Sequence, residues 1–412
     1  MPWVIWGLGA AFYCYGFFQR VAPSVMLPEL MREFAVGAAI TGMLSALYFY
    51  SYAGLQIPIG LMIDRWGPRR LLAVAAILAA VGSALFAMAP NLGPAYVGRV
   101  LIGAGASVTW VATLNLIAAW FPQRRFAMLT GLTLATGMAG AVGGQAPLSA
   151  AVQYFGWRGT MWGAAVAAVV LAVAIWWLVR DRRPDAEPRP AAAVSGQGIW
   201  AGLRVVLGNP QTAVISLHGA MMAAPMLAFG GLWGVPYMMQ AHAVGRPAAA
   251  LATSMMLVGC GIGAPLGGWL SDRIKRRRLP MLVNATGALA TISAALYLPG
   301  VPLPAVYVLL FLNGLFAGGM VISFAAGRER NPGWAAGATL GVVNMAVMST
   351  GAIFQPLIGW LLDRNWAGVM QDGSRVYSSD AFAAALLTLP ACTVVALLAA
   401  ALVRETHCRP QA

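Results

Sequence analysis

Residues 60–70 read GLMIDRWGPRR and residues 268–278 read GWLSDRIKRRR. Each is a short charged stretch between two long apolar ones, and the copies lie 208 residues apart, pairing Asp64 with Asp272 and Arg65 with Arg273. The same spacing recurs elsewhere. Pro28, closing the first apolar stretch, matches Pro236, closing the seventh, at 208, and Pro147, Leu148 and Trp157 match Pro356, Leu357 and Trp366 at 209. Three anchors agreeing within one residue argue for a duplicated chain.

Outward from the motif the sequence is mostly apolar. Of 412 residues 60% are hydrophobic and 9% charged, against about a quarter charged in an average soluble domain. So few charges cannot cover a water-soluble surface of this size, which excludes a soluble enzyme and a disordered chain. The four cysteines, Cys14, Cys260, Cys392 and Cys408, show no metal-ligand or disulfide spacing.

A helix needs about 20 apolar residues to cross the hydrocarbon core, and twelve such stretches follow one another: 3–27, 36–63, 70–89, 93–120, 126–154, 158–179, 210–240, 247–271, 279–298, 303–327, 334–362 and 381–403. The start, MPWVIWGLGAAFYCYGFFQR, has no basic leader or cleavage site and reads as a retained span. The polar segment RDRRPDAEPRPAAAVSGQG divides the chain six plus six, giving a first bundle over 1–179, a flexible linker over 180–209 and a second bundle over 210–412. The expected fold is an all-α membrane protein of twelve transmembrane helices in two pseudo-symmetric halves.

The basic residues then sort by side. Of 26 Lys and Arg, 19 fall in the loops and tails on the side of the N-terminus, around Arg65 to Arg70, Arg180 to Arg204, Arg273 to Arg278, and Arg328 with Arg330. Because positive residues are retained in the cytoplasm, both termini are expected inside, in a bacterial inner membrane. The net charge of +14 is then a topology and lipid-contact signal, and no nucleic-acid partner is expected.

At this point the chain resembles the major facilitator superfamily of secondary transporters over its whole length. The carrying residues are Gly60, Asp64, Arg65, Gly67, Arg69 and Arg70, the degenerate copy Gly268, Asp272, Arg273, Arg277 and Arg278, and Arg99, Leu101, Gly103 and Gly105 opening the fourth span. The resemblance implies two parallel halves, a midplane substrate site and alternating access. It also implies that Gly60, Asp64, Arg65, Arg69, Arg70, Asp272 and Arg273 form a conformational latch, closing the cytoplasmic side while the cavity faces outward. Within the superfamily, FFQRVAPSVMLPEL resembles the organic-anion and organophosphate symporter branches and bacterial relatives of lysosomal dipeptide or amino-acid transporters.

An ionisable residue inside a span is costly and therefore a functional candidate. Arg20 and Arg99 qualify among the basic residues, and no Asp or Glu lies deep in a span. Arg20 has no local anion, since Glu29 is about 13 Å along the same helix, and its repeat partner is Ala228. A guanidinium facing a cavity suits an anionic or zwitterionic solute; the competing reading is an arginine held by helix carbonyls or by an acid of another helix. For Arg99 the structural role is expected. Tyr13 shares a face with Arg20, and Thr41, Ser45, Tyr48, Tyr52 and Gln56 form a polar stripe along the second span. Trp110, Phe229, Trp233, Asn313 and Asn344 complete the substrate-binding candidates, the two amides serving equally well as helix glue. His218 and Glu29 are the candidates for proton coupling.

The expected activity is secondary transport of an organic acid, amino acid or small peptide by proton-coupled uptake, with efflux of a drug, metabolite or siderophore as the alternative. The expected partners are the small-molecule solute, a proton and membrane lipids, with the chain a monomer and no cofactor or metal. An enzyme would need a nucleophile with its base or clustered ligands, and a receptor a signalling domain; neither appears.

Overall fold

A computed structural model describes residues 1–122, 125–181, 199–371 and 373–409, leaving out the side chains of Ile57, Gly60, Leu61, Asp64, Ala127 and Ile199. Helices stand at all twelve positions expected from hydropathy. Among the described residues nine are long and apolar enough to cross a membrane, from Arg65–Met88 to Ser379–Leu402. The first span, Pro2–Val21 followed by Pro23–Phe34, runs past its expected end at residue 27 because Ala22 keeps right-handed helical angles; it stops where Ala35 turns left-handed at φ 51°.

The loop motif has a visible backbone function. The second and third spans join at Gly67, whose φ of 77° and ψ of 156° lie in a region open essentially to glycine alone. Its repeat partner Lys275 also has positive φ, but in the left-handed helical region at 53° and 39°, where a side chain is tolerated. Gly156, at φ 68°, makes the same kind of joint between the fifth and sixth spans. The Gly-rich fifth span breaks at Gly144 and Gln145, and the seventh is π-helical over Met226–Trp233.

Glycine lets helices touch backbone to backbone within each half. A Cβ on Gly103 would fall on the Tyr48 carbonyl, and one on Gly259 on the Phe311 carbonyl. Large apolar side chains left outside, among them Val74, Ile77 and Val81 on the third span and Val166, Val170 and Trp177 on the sixth, recur at helical spacing and make the lipid-facing surface.

The buried apolar clusters locate the seam between halves. The largest joins both, including Val25, Leu44 and Met138 of the first with Leu232, Met256 and Ile358 of the second. Toward the face bearing Arg65 and Arg273, called here the basic face, each half keeps a core of its own: Ile63, Leu72 and Ile175 in one, Ile215, Met281 and Ile322 in the other. The halves are thus welded on the opposite face and separate toward the basic face.

Two elements escaped the hydropathy reading. The end of the expected linker is a helix, Ile199–Gly208, whose Leu203 and Val206 pack on Ala335, Ala338 and Val342 of the second half; the rest of that linker, 182–198, lies outside the described residues. A hairpin, β1 (Met370–Gln371) and β2 (Ser374–Arg375), precedes the twelfth span.

Candidate functional site

A cavity of about 660 Å³ lies between the halves, lined by Tyr13, Phe17, Arg20, Tyr52, Gln56 and Trp110 of the first and Met226, Phe324, Asn344 and Met348 of the second. Exposure along its wall gives its direction. Arg20 is 4% exposed and Tyr13 6%, whereas Leu340 and Trp334, near the basic face, reach 36% and 43%. The cavity therefore runs inward from the basic face, its mouth flanked by the linker helix at Gly202 and Leu203, and ends at the level of Arg20.

Arg20 is surrounded by rings. Its guanidinium carbon sits 4.1 Å from the Phe17 ring centre and 5.4, 5.7 and 5.9 Å from Tyr52, Tyr48 and Phe49. Its Nε has no hydrogen-bond partner and no acid pairs with it among the described residues. Aromatic faces attract a cation but leave its charge uncompensated, so a buried guanidinium at a cavity end is poised to meet an anion.

Arg99 shows the opposite arrangement. It is 1% exposed, and its guanidinium donates to the Gln19 carbonyl at 3.0 Å and the Ser45 carbonyl at 3.4 Å. It ties three helices of the first half together and does not reach the cavity.

The polar stripe of the second span divides by depth. Tyr52 and Gln56 line the cavity, while Tyr48 donates to the Gly16 carbonyl at 3.0 Å and Thr41 to its own helix at Gly37. Ser45 is fully buried outside the cavity. Asn344 donates to Gln56 at 2.9 Å, a polar contact across the halves. The other amide is glue: Asn313 donates to the Ala288 carbonyl inside the second half. Phe229 and Trp233 are buried away from the cavity, and Trp233 donates to the Gln355 carbonyl. Of the ten substrate-binding candidates, Tyr13, Arg20, Tyr52, Trp110 and Asn344 are thus brought together, and Tyr48 stacks behind Tyr52 with centroids 6.0 Å apart.

Neither coupling candidate reaches this wall. His218 is buried within the second half, its Nδ1 2.9 Å from Ser323 Oγ. Glu29 pairs with Arg246 at 2.7 Å near the opposite face, joining the two halves.

That opposite face carries a seal which sequence reasoning missed. Asp363, ending the eleventh span, accepts the backbone N–H groups of Ala38 and Ala39 at 3.1 and 2.9 Å, at the start of the second span. The positive end of that helix suits a carboxylate. Arg375 in β2 and the Tyr377 hydroxyl also donate to Asp363, at 3.1 and 2.6 Å. Burial, then the bond to Asp363, pushes the Tyr377 phenol well above its ordinary range, so it stays a donor. The hairpin is strapped to the first half, Ser374 donating to the Pro28 carbonyl at 2.8 Å. Deeper, Gln145 donates to the Gly230 carbonyl at 2.8 Å and accepts from Thr253 at 3.1 Å. The break in the fifth span places Gln145 at this seam.

On the basic face the described latch candidates spend their bonds within their own halves. Arg69 donates to the Trp176 carbonyl and its N–H to Asp181. Asp272 takes Arg277 at 2.6 Å, and Arg277 continues to Glu329. Arg65 and Arg70 are exposed, and Arg273 lies over Trp269. The Gly60 and Asp64 side-chain positions lie outside the described residues.

The sequence that folds into these helices around a central cavity matches the family model of the Major Facilitator Superfamily over residues 8–326 and 219–410. The chain belongs to this superfamily. As a superfamily member it is a multi-pass membrane protein and a solute transporter, not an enzyme. The membrane sensor protein UhpC of Escherichia coli is 27% identical over 398 residues, covering 92% of this chain and 89% of that protein. The gallate transporter of Pseudomonas putida is 23% identical over 321 residues, 71% of this chain and 70% of that one. Among solved structures, the bacterial homolog to the human lysosomal transporter Spinster, inward-facing and unoccupied, has a TM-score of 0.77 at 18% identity, covering 97% of this chain and 95% of that one. The superfamily fold is thereby shared.

Proposed function

We propose that the chain carries a small organic anion across the bacterial inner membrane by alternating access, with Arg20 as the anchor. The observation that carries this reading is the Arg20 guanidinium, with no acid beside it among the described residues, at the closed end of a cavity between the halves. The basic face is taken as cytoplasmic, so the structure is read as the inward-open state. The outer face is sealed by Asp363 and the Glu29–Arg246 pair. Switching parts that seal and closes the loop motifs of the basic face, where the latch residues now have no partner in the other half among the described contacts.

Uptake coupled to protons is the favoured direction. An anion entering against an inside-negative potential is opposed by about 2.3 kcal/mol per charge per 100 mV, so it needs a cation to travel with it. The similarity to proteins named as gallate and probable sulfoacetate transporters supports an organic-anion cargo.

Purified protein in proteoliposomes, loaded with a panel of carboxylates, phosphates, amino acids and dipeptides, tests the reading by counterflow. Exchange of an organic acid, lost in Arg20→Ala, is expected; an imposed pH gradient, then a potential, each applied alone, identifies the coupling. Counterflow surviving Arg20→Ala contradicts the anchor. The similarity to a membrane sensor protein favours one second reading, a receptor using the same site, and binding without counterflow would select it.

A further inference from the structure

We infer that the cavity selects a singly charged carboxylate with an aromatic or apolar body and discriminates against dianions such as phosphate monoesters and dicarboxylates. The inference rests on Arg20 as the anion anchor and concerns how much charge that anchor can hold.

The first ground is a count of charge. Among the described residues lining the cavity, Arg20 is the one charged side chain. Two other positions could have supplied a second cation. Arg99 is 1% exposed and committed to the carbonyls of Gln19 and Ser45. The position that duplication relates to Arg20 is Ala228, fully buried in the π-helical stretch of the seventh span and absent from the wall. One guanidinium can pair with one carboxylate in a fork of two hydrogen bonds. A second negative charge held beside it would sit among phenols, rings and thioethers with no second cation to neutralise it, and a charge without a counter-ion in such surroundings is strongly disfavoured.

The second ground is the wall itself. Tyr13 packs against Phe17 and Trp110 with ring centroids 4.8 and 5.2 Å away, and Met138, Met226 and Met348 complete the sides. Flat rings and adaptable thioethers suit a planar or apolar body. Toward the mouth, Gln56 and Asn344 offer uncharged amides from opposite halves, able to meet a hydroxyl but unable to neutralise a carboxylate. At about 660 Å³ the cavity is of ordinary ligand size, so volume does not exclude the larger dianions and charge must.

The test uses wild-type protein and probes that differ in one property. Isothermal titration at pH 7.5 compares benzoate with phenyl phosphate and phthalate, which keep the ring and add charge, and with lactate, which keeps the charge and removes the ring; Arg20→Ala is run beside it. The expected result is benzoate binding at least tenfold tighter than each of the others, with that advantage lost in Arg20→Ala. Phenyl phosphate or phthalate binding as tightly as benzoate, and still depending on Arg20, overturns the charge limit while leaving the anchor in place. Lactate equal to benzoate overturns the role of the rings. Binding of any of these acids that ignores Arg20→Ala contradicts the anchor itself.

Discussion

Two arginines buried in the same half do different work, and the difference is one of partners. Neither has an acid partner and each leaves Nε free, but Arg99 gives the rest of its guanidinium to two helix carbonyls, whereas Arg20 lies among aromatic rings on the cavity wall. Hydrogen bonds to a charged group contribute about 1.5–3 kcal/mol, so Arg99→Met is expected to lower the thermal midpoint while ligand affinity in the surviving folded fraction stays near wild type. Thermal unfolding alongside titration checks this; a large affinity loss at unchanged stability would move Arg99 into the site. Sequence alone marked both residues as costly, and it noticed that Arg20 lacked a local anion. It set Arg99 down as structural but could not name the carbonyls of Gln19 and Ser45 that hold it, because they belong to other helices. The same limit explains Asn313 and Asn344, equivalent in sequence and separated only by whether the partner is the Ala288 carbonyl inside one half or Gln56 of the other half on the cavity wall. Gly67 is legible in a different way: its φ and ψ belong to glycine. Gly67→Ala is therefore expected to cost about 1–3 kcal/mol, read as a lowered thermal midpoint. The same change at Lys275, where φ is tolerable for a side chain, should leave it unmoved.

Among the elements, the helices were legible from hydropathy because each needs only its own apolar length. Their joints were not. The hairpin at 370–375 and the helix Ile199–Gly208 are too short and too mixed to register in a search for spans, although Ile199, Leu203 and Val206 already recur at helical spacing. Asp363 was passed over because an acid at the end of a span looks like any solvated terminus until the second span's N-terminus is placed against it. Removing its charge weakens that contact and leaves Arg375 unpaired, so Asp363→Asn is expected to shift the resting population toward the state open on the opposite face. Cysteines introduced at Glu29 and Arg246, whose side chains meet at 2.7 Å across the halves on the same face, report the shift by their bridging with a short bifunctional thiol reagent. Yield should fall at least several-fold in Asp363→Asn, and an unchanged yield would remove Asp363 from the seal. A second joint holds the C-terminal tail. Glu405 accepts the N–H groups of Arg277 and Arg278 at 2.7 and 3.0 Å. Burial works against its charge, but those bonds win and hold the carboxyl below its ordinary range. The tail contact is then fully present above the usual Glu range and is lost only as pH falls through the lowered value.

At the scale of the whole molecule, duplication supplies the frame and its breakdown supplies the chemistry. The repeat offset brings Gly67 onto Lys275 and Pro28 onto Pro236, but sets Arg20 against Ala228, so one wall of the cavity is charged and the other is not. Placement in the membrane follows from the same charges. Lys275 is the chain's single lysine and is exposed on the basic face. An impermeant amine reagent, with the modified peptide located by mass spectrometry, is expected to label Lys275 in inside-out vesicles and not in intact spheroplasts; the reverse pattern would invert the topology and make the observed state outward-open. Transport as proposed depends on whether the Arg20 guanidinium, which has no acid beside it among the described residues, holds the cargo. The most direct measurement is the affinity of benzoate for wild-type protein, Arg20→Lys and Arg20→Ala in parallel titrations, with thermal midpoints verifying that each is folded. Binding to the wild type is expected, weakened at least tenfold when the planar fork is replaced by lysine and abolished by alanine. Equal affinity in all three folded proteins would contradict Arg20 as the anchor.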